Sequence, residues 1–114
     1  KIAWVNYPGL EGDKYHDLAQ KYMPKGTCGV VTFGVKGGRK AAETFMAGLK
    51  LASIATHVAD AKTCVLHPAS STHRQLSEAE LAAAGVSADL IRLSVGIEDI
   101  TDILADLEQA LDQV

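Results

Sequence analysis

The densest cluster of reactive side chains in this sequence runs from His67 to Arg74, in the order HPASSTHR. Within eight residues it holds three hydroxyls, two imidazoles and one guanidinium. It follows a short apolar run and precedes a helix N-terminus, a position where loops often carry binding or catalytic groups. Ser and Thr also stabilise turns, so the same pattern fits a solvated structural loop. The sequence leaves both interpretations open.

Metal binding and nucleophilic catalysis have weak support. The possible zinc ligands are His57, Cys64, His67 and His73. Their spacing fits none of the paired signatures of common zinc sites. A nucleophile at Cys64 would lie inside an apolar strand, where thiols are inert, and Ser70 and Ser71 lack the G-x-S-x-G elbow of serine hydrolases. We therefore expect no metal site and no catalytic nucleophile.

A glycine-rich basic turn spans residues 34–40, GVKGGRK, between a strand and a helix. Backbone amides at a helix N-terminus can bind phosphate, and the nearby Lys and Arg side chains would assist. The turn matches neither the P-loop nor the dinucleotide-binding fingerprint. A tight surface turn is therefore the favoured interpretation.

A single arginine, Arg92, stands in the middle of the apolar run LIRLSV. Strand alternation places Arg92 and Ser94 on one face, and Ile91 and Leu93 on the other. The planar guanidinium fork can hold a carboxylate through two parallel hydrogen bonds. The pattern indicates either a site for a carboxylate ligand or an ordinary surface or salt-bridged arginine.

Length and composition set the frame for these residues. The chain has 114 residues, 47% of them hydrophobic, which suffices for one domain with its own core. The net charge is −3, so a sequence-wide basic surface for nucleic acid is excluded. No apolar run approaches the roughly 20 residues that span a bilayer.

Because the sequence opens on Lys1 inside an apparent strand, we expect a piece of a longer polypeptide. Both cysteines, Cys28 and Cys64, border apolar runs and are expected to be buried and reduced.

The elements alternate along the chain. Strands are predicted over residues 2–7, 29–35, 63–66 and 90–95, and residues 52–58 are ambiguous. Helices are predicted over residues 11–22 and 39–49, after a capping box at Ser77 up to Gly85, and over the last segment. The last helix carries one apolar stripe, formed by Ile97, Ile100, Ile103, Leu104, Leu107 and Leu111. This order predicts an α/β layer structure with one small sheet of four or five strands.

Several segments together resemble a known family. Residues 67–76 (HPASSTHRQL), 83–86 (AAGV) and 90–99 (LIRLSVGIED) are similar to the C-terminal part of the Cys/Met-metabolism family of pyridoxal-phosphate (PLP) enzymes. Residues 7–10 (YPGL) with His16, 35–38 (VKGG) and 60–63 (DAKT) resemble its O-acetylhomoserine sulfhydrylase subgroup. The resemblance implies that residues 1–114 are a single domain, most of the small C-terminal domain, with the large PLP-binding domain absent. It also implies an α+β sandwich with a mainly antiparallel sheet.

The resemblance assigns roles to four residues. Arg92 matches the arginine that binds the α-carboxylate of the substrate. His57 lines the same pocket, where relatives commonly have Ser or Asn, and Thr63 lies beside it. Thr72 matches a residue near the cofactor. The Schiff-base lysine of the family lies in a Ser-x-Thr-Lys motif that this sequence lacks, so we expect no catalytic residue here and no PLP binding or turnover by this chain alone.

The implied reaction is replacement of the acetate of O-acetylhomoserine by sulfide or a thiol, which gives homocysteine or methionine. A γ-lyase and a cystathionine γ-synthase are alternatives within the family. A stand-alone module that binds amino acids or a protein is an alternative of another class. The resemblance further implies a cytoplasmic enzyme that assembles as a homo-oligomer, commonly a tetramer.

Overall fold

The computed structural model describes all residues from 1 to 114. The strands are β1 (Ile2–Asn6), β2 (Val30–Val35), β3 (Ser53–Ile54), β4 (Cys64–Leu66) and β5 (Leu90–Ser94). The α-helices are α1 (His16–Tyr22), α2 (Gly38–Gly48), α3 (Glu78–Ala83) and α4 (Ile100–Leu111), with a 3₁₀ helix at Pro68–Ser70. The ambiguous segment 52–58 thus contributes only the two residues of β3.

All five strands form one sheet in the order β1-β2-β5-β4-β3. Neighbours are antiparallel except for the parallel pair of β3 and β4. The expectation of a small, mainly antiparallel sheet with helices packed on it is confirmed. Because β5 lies at the centre, its residues Arg92, Leu93 and Ser94 have strand neighbours on both sides.

The core lies between one face of the sheet and helices α2 and α4. Phe33, Ile91 and Leu93 project from the sheet into it, and the Phe45 ring of α2 meets Phe33 edge to face at 5.7 Å between centroids. Both aromatic rings lose their water contact in this arrangement, which makes them major contributors to folding. The opposite face of β5 carries Arg92 and is therefore separate from this core.

The predicted apolar stripe of the last helix is only partly buried. Ile103 is buried, and Leu107 and Leu111 pack against the core. Ile100 and Leu104 lie four residues apart on another helix face and are more than half exposed. Ile97 precedes the helix and is 86% exposed. The apolar residues of this segment therefore form two surfaces, of which one has no partner within the chain.

A buried carboxylate joins α4 to the turn after α2. Asp106 accepts hydrogen bonds from the backbone N–H groups of Lys50, Leu51 and Ala52 at 2.8, 2.9 and 2.8 Å. Burial raises the pKa of Asp106, but these backbone donors outweigh it and the pKa lies below its ordinary value. The sequence offered no sign of this role, because Asp106 reads as an ordinary polar residue of the helix.

Two expectations need correction. Cys28 is exposed, whereas Cys64 is buried as expected, and neither forms a disulfide. The first helix begins at His16 rather than at residue 11, because the Asp13 side chain accepts from the N–H groups of Tyr7 and Tyr15 and holds the preceding residues in turns. None of the helices is long and apolar enough to cross a membrane.

Candidate functional site: the Arg92 guanidinium and its rim

Arg92 lies on the central strand, on the face opposite the core. Its backbone neighbours across the sheet are Thr32 on β2 and Leu66 on β4. The residue is half-buried, so its position is set by the sheet while part of its side chain reaches solvent. A side chain that projects from the centre of a sheet is held more firmly than one on a loop.

The guanidinium of Arg92 has no acidic partner. Nη2 donates to the carbonyl oxygen of Thr56 at 2.8 Å and more weakly to that of His57 at 3.4 Å. Nε is buried and has no partner. The one ion pair of the chain joins Lys1 and Asp112 elsewhere. A guanidinium has five N–H donors, and those of Nε and Nη1 donate to no group of this chain, so most of its capacity for an anion is unused.

The backbone that holds Nη2 belongs to residues 56–63, which we call the rim segment. Alternate residues from Arg92 to Glu98, namely 92, 94, 96 and 98, each form a hydrogen bond to the rim segment. The Ser94 hydroxyl accepts from the N–H of Ala59 at 3.0 Å. The N–H of Gly96 donates to the Thr63 hydroxyl at 2.9 Å. These bonds fix a segment that has no helix or strand of its own.

Glu98 closes the far end of the rim segment. Its carboxylate accepts from both the backbone N–H and the hydroxyl of Thr63, each at 2.7 Å. The backbone bond and then the hydroxyl bond of Thr63 lower the pKa of Glu98 below its ordinary value. Glu98 precedes α4, which is capped instead by Asp99 through the N–H of Thr101 at 2.8 Å.

Two backbone positions show how closely the rim segment approaches β5. A Cβ on Gly96 would lie 2.5 Å from the Thr63 nitrogen and in contact with the Ala61 carbonyl oxygen, so only glycine fits there. Ala59 has a φ of 58°, which is left-handed and uncommon for a residue with a side chain. Backbone strain of this kind is frequent at functional sites.

The substrate-binding residues expected from the sequence fall into different environments. His57 is exposed, and its backbone carbonyl rather than its ring touches Arg92. Thr63 is completely buried, and its hydroxyl donates to Glu98 and accepts from Gly96. Because it exposes no surface, Thr63 does not reach a ligand in this arrangement and supports the rim segment instead. This changes the contact role expected for it.

The loop after β4 is held by a buried histidine. His67 Nε2 lies 2.8 Å from the carbonyl oxygen of Ala88, and Nδ1 lies 2.7 Å from the Ser70 hydroxyl. The imidazole therefore donates to Ala88 and accepts from Ser70. Thr72 stands exposed at the end of this loop, with its hydroxyl 2.8 Å from His73 Nδ1. No three His, Cys, Asp or Glu side chains converge in a way that could hold a metal ion.

The lysines of the chain do not fit a covalent PLP site. All eight are exposed, and none follows a Ser-x-Thr sequence. A lysine that binds PLP as a Schiff base needs a desolvated pocket that lowers its affinity for a proton. The residues present here therefore supply a guanidinium without an acidic partner, but no lysine in the family's Schiff-base context.

Comparison with known proteins matches residues 1–112 to the family model described as Cys/Met metabolism PLP-dependent enzyme. The chain belongs to this family. Its fold agrees with a crystal structure of a Campylobacter jejuni putative O-acetylhomoserine (thiol)-lyase that contains pyridoxyl-lysine monophosphate. The TM-score is 0.88 at 40% identity, over 97% of this chain and 26% of that one.

Named members of the Cys/Met metabolism family are more similar still in sequence. An O-acetyl-L-homoserine sulfhydrylase of Thermus thermophilus is 51% identical over 97% of this chain. One of Leptospira meyeri is 50% identical over 100% of it, and a homocysteine synthase of Schizosaccharomyces pombe is 51% identical over 98%. The chain spans 26% of the length of each of these three relatives.

Sequence reasoning missed Ser94, Gly96 and Glu98 as parts of the site. It placed Ser94 on the same face as Arg92 but gave it no role, and it included Gly96 and Glu98 only within the family-like segment 90–99. The sequence did carry a signal for these residues. Polar residues or glycine occupy every second position, 92, 94, 96 and 98, and this alternation continues past the end of β5. An extended chain presents all four to the same side.

Proposed function

We propose that this chain is the small C-terminal domain of a PLP-dependent enzyme that replaces the acetate of O-acetylhomoserine by sulfide or a thiol. Arg92 binds the α-carboxylate of the amino-acid substrate. The observation that carries this proposal is the half-buried guanidinium on the central strand, whose Nε and Nη1 have no partner and which no carboxylate of the chain approaches. The names of the relatives support the reaction.

This chain contributes to the reaction by binding the substrate carboxylate and orienting the substrate. The rim segment holds Nη2 and so fixes the plane of the guanidinium, and its remaining N–H groups face the carboxylate from a fixed position. Fixing the carboxylate sets the direction of the other bonds at the substrate α-carbon, and positioning of this kind can supply several kcal/mol of a barrier. PLP, bound outside this chain, supplies the electron sink for the bond changes.

The other expected site residues take supporting places in this proposal. The exposed ring of His57 is offered to the substrate from the rim segment and donates one hydrogen bond. Thr63 is buried and holds the rim segment in place through its hydrogen bonds to Glu98 and Gly96. Thr72 stands on the cofactor side, where its exposed hydroxyl meets the missing part of the enzyme. No residue of this chain performs the chemical step.

The assembly and cell compartment follow from the same proposal. The whole enzyme is a homo-oligomer, a tetramer, of the cytoplasm. The exposed apolar face of Ile97, Ile100 and Leu104 supports contact with protein outside this chain, because such surfaces are rarely left open to water. Light scattering of the full-length protein measures the oligomer directly.

The test of the carboxylate role is an Arg92→Ala substitution in the full-length enzyme. We expect kcat/KM for O-acetylhomoserine to fall by a factor that corresponds to about 2–5 kcal/mol of activation free energy. This is the range for removing one partner of a buried charge pair. Arg92→Lys should recover only part of it, because an ammonium lacks the planar fork. Arg74→Ala, an exposed arginine of the loop after β4, is the matched control. A wild-type kcat/KM for Arg92→Ala would overturn the assignment.

The reaction itself is tested by offering different sulfur nucleophiles to the full-length enzyme. With O-acetylhomoserine and sulfide we expect homocysteine, and with methanethiol we expect methionine. Preferential formation of cystathionine from cysteine would indicate a cystathionine γ-synthase. Release of an oxo acid and ammonia without a nucleophile would indicate a γ-lyase.

A further inference from the structure

Two residues of β5 reach the same short stretch of the rim segment. Arg92 donates to the carbonyl oxygens of Thr56 and His57, and Ser94 accepts from the N–H of Ala59. Ser94 is 1% exposed, so its hydroxyl is shielded from competing water. The two carbonyl oxygens that hold the guanidinium and the N–H that Ser94 holds therefore lie within four consecutive residues, 56–59.

The hydrogen bond from Ala59 to Ser94 restrains a strained backbone. Ala59 has a φ of 58°, a conformation that residues other than glycine mostly avoid. Without an acceptor at Ser94, the N–H of Ala59 would lose its partner within the chain, and the peptide would relax toward negative φ. Such a change would move the adjacent carbonyl oxygens, and with them the Nη2 atom that they hold.

We propose that Ser94 is a positioning residue for Arg92, which acts by fixing the carbonyl oxygens of Thr56 and His57 through Ala59. This inference rests on the proposed binding of a substrate carboxylate by Arg92. Ser94 touches neither the substrate nor the cofactor. Its effect falls on the recognition of the carboxylate and leaves the remainder of the substrate unaffected.

The experiment compares two inhibitors of the full-length enzyme. Homoserine carries the α-carboxylate, and 3-amino-1-propanol is the same molecule without it. Carboxylate recognition is measured by the inhibition constant of 3-amino-1-propanol divided by that of homoserine. This ratio falls when homoserine binds more weakly. Ser94→Ala should weaken homoserine roughly 3- to 10-fold, the effect of one neutral hydrogen bond, and leave 3-amino-1-propanol unchanged. The KM for O-acetylhomoserine should rise by the same factor.

Two further variants separate positioning from packing. Ser94→Thr and Ser94→Val have equal volume, but only threonine keeps the hydroxyl, so threonine should retain carboxylate recognition and valine should lose it. They serve the test even if Ser94→Ala folds poorly. Val65→Ala, which removes a buried side chain from the core face of the neighbouring strand β4, is the control and should leave the ratio unchanged.

The outcomes distinguish this inference from the proposed function. If Arg92→Ala lowers the ratio and the Ser94 variants do not, the positioning role is wrong and the carboxylate site stands. If Arg92→Ala also leaves the ratio unchanged, the proposed function fails and the role of Ser94 fails with it. If Thr and Val behave alike at position 94, the hydroxyl has no part in recognition.

Discussion

Glu98 holds Thr63 by two hydrogen bonds, one to the backbone N–H and one to the hydroxyl, each 2.7 Å long. The two residues are 35 positions apart in the sequence. This contact closes the rim segment at the end opposite Arg92. The geometry of the rim segment beside Arg92 therefore depends on a carboxylate that is 35 residues away in the sequence.

The Glu98 contact makes part of the stability depend on pH. The pKa of Glu98 is lowered below its ordinary value of 4.5 by the bonds from Thr63. Its contribution is therefore fully present above about pH 4.5 and is lost as the pH falls through the lowered pKa. We expect Glu98→Gln to be less stable than the wild type at pH 7, with the difference shrinking below about pH 4.5.

Urea unfolding of both proteins across this pH range measures the difference. Glu108→Gln, an exposed carboxylate of α4 with no hydrogen-bond partner, is the control and should change stability little. A gap between wild type and Glu98→Gln that stays constant down to pH 3 would contradict the role of the ionised carboxylate.

Residue 96 must be glycine because the rim segment lies too close to it to leave room for a Cβ. Gly96→Ala would place a Cβ 2.5 Å from both the Thr63 nitrogen and a Glu98 oxygen, so the rim segment must shift. We expect a loss of about 1–3 kcal/mol in the free energy of unfolding, the usual effect of overpacking. At Gly29 the nearest atom to an added Cβ is 3.6 Å away, so Gly29→Ala is the control. Equal stability of the two variants would show that the rim segment is not rigid.

Relief of strain should be measurable at position 59. Ala59→Gly removes the left-handed penalty at a φ of 58°, although glycine gains entropy in the unfolded chain. We expect a net stabilisation of about 0.5–1 kcal/mol by thermal or urea unfolding. Ala55→Gly, nearby but without positive φ, should instead destabilise the protein by a similar amount. A destabilised Ala59→Gly variant would mean that the left-handed conformation carries no strain.

The chain alone should not capture PLP covalently, since all eight lysines are exposed and none has the Ser-x-Thr-Lys context. The measurement is incubation of the 114-residue chain with PLP, reduction with borohydride and mass spectrometry of the peptides. We expect no lysine modified above the level found in an unfolded sample. One lysine modified selectively in the folded chain would contradict this expectation.

The alternating elements were predictable because their signals are local. Ser77 and Glu80 form the expected capping box, and Gly85 takes the expected positive φ of 72°. The sheet direction came instead from the family resemblance. Element boundaries failed where a side chain intervenes from outside the local pattern, as Asp13 does before α1.

The candidate site was predictable only at its centre. Arg92 is conspicuous because an arginine inside an apolar strand needs a reason. Thr63, Ser94 and Glu98 acquire their roles through contacts between residues about 35 positions apart, which no local period records. Asp106 was missed for the same reason, because its three donors belong to a turn more than 50 residues earlier.

The long sequence separation of the rim contacts has a consequence for the order of folding. Arg92, Ser94 and Glu98 meet the rim segment across 35 or 36 residues, and the segment has few bonds of its own. Residues 56–63 therefore cannot settle before β5 has joined the sheet, since closing such loops precedes any gain from them. We expect substitutions at Ser94 and Glu98 to speed unfolding while leaving the refolding rate nearly unchanged, which chevron plots would show. Docking of the rim segment onto β5 would then be the last event in the formation of this domain.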